Sequence, residues 1–137
     1  MDIFTFVSEQ MLLVSLLLGL IYFFAYSERT KGGKSISASQ LVVMMNTDEA
    51  VLVDVRPANE FQAGHIHGAM NIPHTKIASR LAELEKCRSK VVVLADSMGQ
   101  HAGGAGRALH KEGYNVRRLR GGMTEWRGEN LPVVQGN

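Results

Sequence analysis

Asp96 stands directly after the β-branched run Val91–Ala95, and the loop it opens reads Asp96-Ser97-Met98-Gly99-Gln100-His101-Ala102. A carboxylate at the end of an apolar strand can act as a nucleophile in phosphoryl transfer. That chemistry needs a second carboxylate close by for magnesium, and Met98 is not one. The glycines Gly99, Gly103, Gly104 and Gly106 precede and enter a helical stretch, which invites a phosphate-cradling role. They lack both the G-x-G-x-x-G spacing and the G-K-[ST] ending, so a nucleotide site fits poorly. Upstream, Asp54, Arg56 and Glu60 follow a second apolar run. These residue types make either an acid/base set or a hydrogen-bonded network that holds the loop after the strand. The network is the simpler reading.

His65 and His67 fall on one side of an extended chain, where two imidazoles begin a metal site. No third and fourth ligand stands near them in sequence, so neither a metal nor another cofactor is expected. Cys87 is the single cysteine. An internal disulfide and a cysteine-based zinc site are therefore excluded, and nothing demands an oxidising compartment. Cys87 follows a helical pattern and precedes the Val91–Ala95 run. A helix C-terminus disfavours a thiolate, although Lys86 and Arg88 offset this in part. A structural role is expected for it, with an alternative nucleophile as the competing reading.

The elements that must position these residues are limited by length. With 137 residues, one domain of ordinary size can form beside a short N-terminal segment. Net charge is +2, and before residue 27 the only charged residues are Asp2 and Glu9. The remainder holds 15 basic and 11 acidic residues, a balance of +4. No Lys/Arg stripe interleaved with aromatics appears, and Arg117, Arg118 and Arg120 are too few to make one, so nucleic acid is not an expected partner. A mild positive excess suits the anionic inner leaflet of a membrane.

Residues 11–26 read MLLVSLLLGLIYFFAY, without a charge or a proline. Sixteen helical residues span about 24 Å, and extension back through Ile3, Phe4, Phe6 and Val7 completes a crossing of the ~30 Å hydrocarbon layer. Tyr22 and Tyr26 suit the interfacial aromatic belt. A cleaved signal peptide normally carries Lys or Arg ahead of its apolar stretch, and none occurs before Arg29. Arg29, Lys31 and Lys34 follow the stretch at once. The positive-inside rule then places the N-terminus outside and the domain in the cytoplasm, as for a single-pass protein of a bacterial inner membrane. Ser15 and Gly19 form a small-xxx-small pair through which anchors can pair into a homo-oligomer, a weak pattern by itself. The expected division is an anchor over 1–26, a polar linker over 27–35 that keeps the domain near the bilayer, and a folded domain over 36–137.

Within the domain, Ser37 or Ser39 can cap a short helix running to Met45. Residues 50–55 and 91–95 are short, apolar and β-branched, as strands buried on both faces are. Residues 76–87 place Ile77, Leu81 and Leu84 on one face of a helix. Another helix is expected over residues 103–111, stopped by Gly113, and a third strand over residues 115–119. Alternating strands and helices predict an α/β domain with a small, mostly parallel sheet flanked by helices, whose site lies beyond the carboxyl ends of the strands.

The stretch DVRPANEFQAGHIHGAMNIP, residues 54–73, resembles the signature of rhodanese domains: Asp-x-Arg, Glu-Phe, then Gly-His-Ile-x-Gly-Ala-x-Asn-Ile-Pro. Gly121-Gly122-Met123, Trp126 and Leu131-Pro132-Val133 are similar to the family's closing elements. The resemblance covers residues 36–134. It implies structural roles for Asp54, Arg56, Glu60, Gly64, His65 and Gly68. It also implies that the strand 91–95 leads into a cysteine whose sulfur is ringed by backbone N–H groups, and that this cysteine carries sulfur as a persulfide. Converging N–H dipoles and a helix N-terminus favour such a thiolate.

Here Asp96 stands at the cysteine position, His101 where arginine is usual and Ala102 where a small hydroxyl residue is usual. Asp96 cannot form a persulfide, and its carboxylate is expected to occupy the cradle itself. The resemblance with this departure implies a membrane-anchored, non-catalytic member that binds a protein or small ligand. The competing expectation is a sulfurtransferase that uses a non-standard cysteine, Cys87.

Overall fold

The computed structural model describes residues 2–31 and 33–137. Gly32 and the side chains of residues 28–31 lie outside the described residues, so the charges read from Arg29 and Lys31 rest on sequence alone. The chain divides into two compact units, Met1–Thr30 and Lys31–Asn137.

The first unit is one helix, α1 (Ile3–Lys31). Its 29 residues are apolar over all faces of the stretch Ile3–Ser27, with a mean hydropathy of 1.9 and no buried side. A helix of this length rises about 43 Å, enough to cross a ~30 Å hydrocarbon layer. Tyr22 and Tyr26 stack one turn apart, with ring centroids 6.5 Å from each other. The helix runs further than expected: it takes up residues 27–31 of the stretch read as linker. The first strand of the second unit begins at Lys34.

The second unit follows the alternation read from sequence. After β1 (Lys34–Ile36) come α2 (Ala38–Asn46), β2 (Ala50–Asp54), α3 (Ala58–Ala63) and β3 (Met70–Asn71). Then follow β4 (Val91–Ala95), α4 (Ala102–Lys111), β5 (Asn115–Leu119) and α5 (Gly122–Gly128). The strands form one parallel sheet in the order β1-β5-β4-β2-β3. Ser37 caps α2 with a full capping box. Its hydroxyl accepts from the Gln40 N–H at 3.2 Å, and the Gln40 side chain accepts from the Ser37 N–H at 2.9 Å.

The central strands bury both faces. Val53, Val92, Leu94 and Val116 pack into one core with Leu109 of α4. Leu52, Val93, Ala95 and Leu119 pack into the other with Leu41 of α2 and Trp126 of α5. That division explains why the strand sequences are apolar runs rather than alternating ones.

Residues 76–87 depart from the expected helix. They form two 3-10 segments, His74–Lys76 and Leu81–Cys87, interrupted where Arg80 adopts φ −117°. The second segment has three residues per turn, which lines up Leu81, Leu84 and Cys87 at a spacing of three. Leu84 and Cys87 are buried. The apolar pattern is real, but its period is three rather than 3.6. Strands β1 and β3, with three and two residues, are too short to carry a period at all.

Candidate functional site

β4 and β2 lie side by side at the sheet centre, with Asp54 opposite Ala95 in register. Both strands therefore deliver their next residues to the same carboxyl edge, where Asp96 and Arg56 meet. Asp96 is 1% exposed. Its chain turns back at Gly99, which holds φ +101°, a left-handed conformation that glycine adopts without strain. The turn aims backbone N–H groups inward. Asp96 Oδ1 accepts from the Gly99 N–H, while Oδ2 accepts from His101 N–H at 2.7 Å and Ala102 N–H at 3.0 Å. Ala102 begins α4, so the carboxylate also caps that helix and meets the positive end of its dipole. A carboxylate holding three backbone donors has its lone pairs well used.

A second support comes from α5. The Met123 N–H donates to the Asp96 carbonyl at 2.7 Å, and the Thr124 N–H to the Ser97 carbonyl at 2.9 Å. Gly122, at φ +58°, makes this approach possible. A Cβ there would collide with the Asp96 carbonyl oxygen and lie 2.9 Å from its carboxylate. The Gly121-Gly122 pair thus clamps the loop to the last helix.

Asp54 and Arg56 form a buried pair, 1% and 5% exposed. Arg56 Nη2 donates to Asp54 Oδ2 at 2.7 Å and to the Gly64 carbonyl at 2.7 Å, and its Nε donates to the same carboxylate. Asn71 Nδ2 ties the backbone carbonyls of Asp54 and Arg56 together at 3.0 and 2.9 Å. With its oxygens occupied, Asp54 holds the loop in place rather than facing substrate. His65 Nδ1 lies 2.8 Å from the Phe61 carbonyl, and its ring stacks on Phe61 at 3.7 Å. His67 is exposed, so the two imidazoles do not converge. Gly68 takes φ +87° beside Met45.

Above Asp96 opens a cleft of about 180 Å³, walled by Arg56, Glu60, His74, Ser97, Gln100 and His101. Met98 is 66% exposed, and its N–H donates to Gln100 Oε1 at 3.0 Å. His74 is a contributor that the sequence does not reveal. Its ring stacks on His101, centroids 4.0 Å apart and planes within 3°. The residues are far apart in sequence, and the parallel alignment of β2, β3 and β4 brings them together. Cys87 is elsewhere. It is buried ahead of the first residue of β4, whereas Asp96 follows the last, so the strand lies between them in the chain.

Comparison with known proteins follows the same outline. A family model described as "Rhodanese-like domain" matches residues 37–129. The uncharacterized protein YibN of Escherichia coli K12 is 35% identical over 113 residues, covering 81% of this chain and 79% of that protein. An HTH-type transcriptional regulator of Mycobacterium tuberculosis is 43% identical over 102 residues, 74% of this chain, and the chain spans 45% of the regulator's length. The thiosulfate sulfurtransferase GlpE of Pseudoalteromonas translucida is 31% identical over 94 residues, covering 68% of this chain and 88% of that enzyme. Among solved structures, a rhodanese-related protein from Thermoplasma volcanium superposes with a TM-score of 0.67 at 29% identity, covering 75% of this chain and 99% of that one.

Proposed function

The chain belongs to the rhodanese-like domain family, and from that premise we propose that it is a non-catalytic member. It is a binding module held by a single spanning helix at the cytoplasmic face of a bacterial inner membrane, where the loop and cleft engage a protein or a small ligand. The observation that carries this reading is the Asp96 carboxylate seated on the N–H groups of Gly99, His101 and Ala102. A sulfur carrier needs a polarisable thiolate at that place. A carboxylate oxygen occupies the donors without offering a bond to sulfur, and an anionic sulfur donor entering the cleft meets a fixed negative charge. His101 supplies no permanent cation to offset it. Burial of Cys87 at the far end of β4 weighs against a second nucleophile. Arg29, Lys31 and Lys34 on the domain side of the apolar stretch support this orientation.

The test is thiocyanate formation from thiosulfate and cyanide by the purified full chain in detergent. Wild-type protein is expected to give the uncatalysed rate. Turnover above that rate, abolished by Asp96→Ala, would contradict the proposal.

A further inference from the structure

We infer that the outward face of α2, together with the β1 edge, rests on the surface of an anionic lipid bilayer. The inference rests on the membrane anchor proposed above. In α2 only Leu41 is buried, while Val42 and Val43 are 37% and 60% exposed. Val43, Met44 and Ile36 line an apolar groove with Ser39 and Gln40. An exposed apolar strip of this kind calls for a partner surface.

Charge indicates which surface. No Asp or Glu occurs between Glu28 and Asp48, whereas Arg29, Lys31 and Lys34 fall in that interval. Lys34 pairs with Arg117 in register, and Ile36 with Leu119. The two-residue period of a strand puts Lys34, Ile36, Arg117 and Leu119 on one face of the sheet. Ile36 and Leu119 pack into the same core as Leu41 of α2, so this is the α2 side. Lys34 and Arg117 therefore stand on the same face of the sheet as the apolar groove, whose own segment holds no acidic residue. Apolar side chains flanked by basic ones are what a headgroup–acyl boundary with anionic lipid accepts.

Covalent reach supplies the opportunity. Lys34 follows the last residue of α1 by three positions, at most about 11 Å of extended chain.

The test uses the full chain reconstituted into nanodiscs, with an environment-sensitive fluorophore on Val43→Cys and, separately, on Met98→Cys. Cys87 is buried and stays unlabelled. In discs containing phosphatidylglycerol, the label at position 43 is expected to shift to the blue and to be quenched by shallow nitroxide lipids. The label at position 98 is expected to behave as in water. Replacing phosphatidylglycerol with phosphatidylcholine, or introducing Lys34→Glu, should lower the docking equilibrium constant about fivefold for each basic residue whose attraction to lipid is removed. A label at position 43 as water-exposed as that at 98 would overturn the inference. So would shielding without lipid quenching, which would mean that a second copy of the chain covers the groove. Carbonate extraction is read separately: protein released by carbonate refutes the anchor itself, and lipid-inserted protein with a wet position 43 refutes only the docking surface.

Discussion

Replacing Asp96 with alanine leaves the N–H groups of Gly99, His101 and Ala102 without their shared acceptor, and the last of these is buried. The cost is expected to be about 2–3 kcal/mol, the loss of a helix cap together with unpaired donors. Urea unfolding of the variant, followed by the fluorescence of the buried Trp126, measures it. Tyr114 carries another buried oxygen: its hydroxyl meets no partner at hydrogen-bond geometry, although Glu85 interacts with it. Burial raises its phenolic pKa above the ordinary value near 10, with Arg88, 4.4 Å over the ring, opposing the rise and Glu85 adding to it. Below that value both folded and unfolded chains keep the proton. Above it the unfolded chain releases the proton first, so stability falls as pH rises. Tyr114→Phe is expected to change stability by less than about 1 kcal/mol at neutral pH. It should also flatten the alkaline limb of an unfolding profile between pH 9 and 11 (about one unit either side of the ordinary value). The place of Asp96 is legible in the sequence because strand, loop glycine and helix are local there. That of His74 is not, since only the folded sheet sets it against His101.

At the scale of elements, the strands β2, β4 and β5 and the helix α4 can be read from apolar runs and from the stop at Gly113. The segment 76–87 misleads because Ile77, Leu81 and Leu84 satisfy a helical period, while Leu81, Leu84 and Cys87 equally satisfy the 3-10 period that wins. That alignment gives Cys87 a packing role. The Gly121-Gly122 pair is visible as a motif, but its purpose appears only when α5 is seen bonded to Asp96 and Ser97. Gly122→Ala combines a left-handed backbone with a collision against the Asp96 carbonyl. It is expected to cost about 2–4 kcal/mol and to loosen the loop. Thermal unfolding gives the first effect. Faster amide exchange at His101 and Ala102 gives the second, and unchanged exchange there would show that α5 does not clamp the site.

Over the whole molecule, the division into an apolar helix and a parallel α/β domain is legible because each part has its own signature: sixteen uncharged, mostly apolar residues, and a 20-residue motif around Asp54 and Gly64. The junction is less legible. Polar residues 27–35 look like a linker, yet helix continues to Lys31 and the sheet begins at Lys34. At the edge of the sheet a ring of backbone amides is filled by the Asp96 carboxylate. The most direct test is intact-mass spectrometry of wild-type and Asp96→Cys chains after exposure to thiosulfate. Wild-type mass should be unchanged, with Cys87 unmodified, while the Asp96→Cys chain should gain about 32 Da as a persulfide. A gain of one sulfur by the wild-type chain would contradict the account.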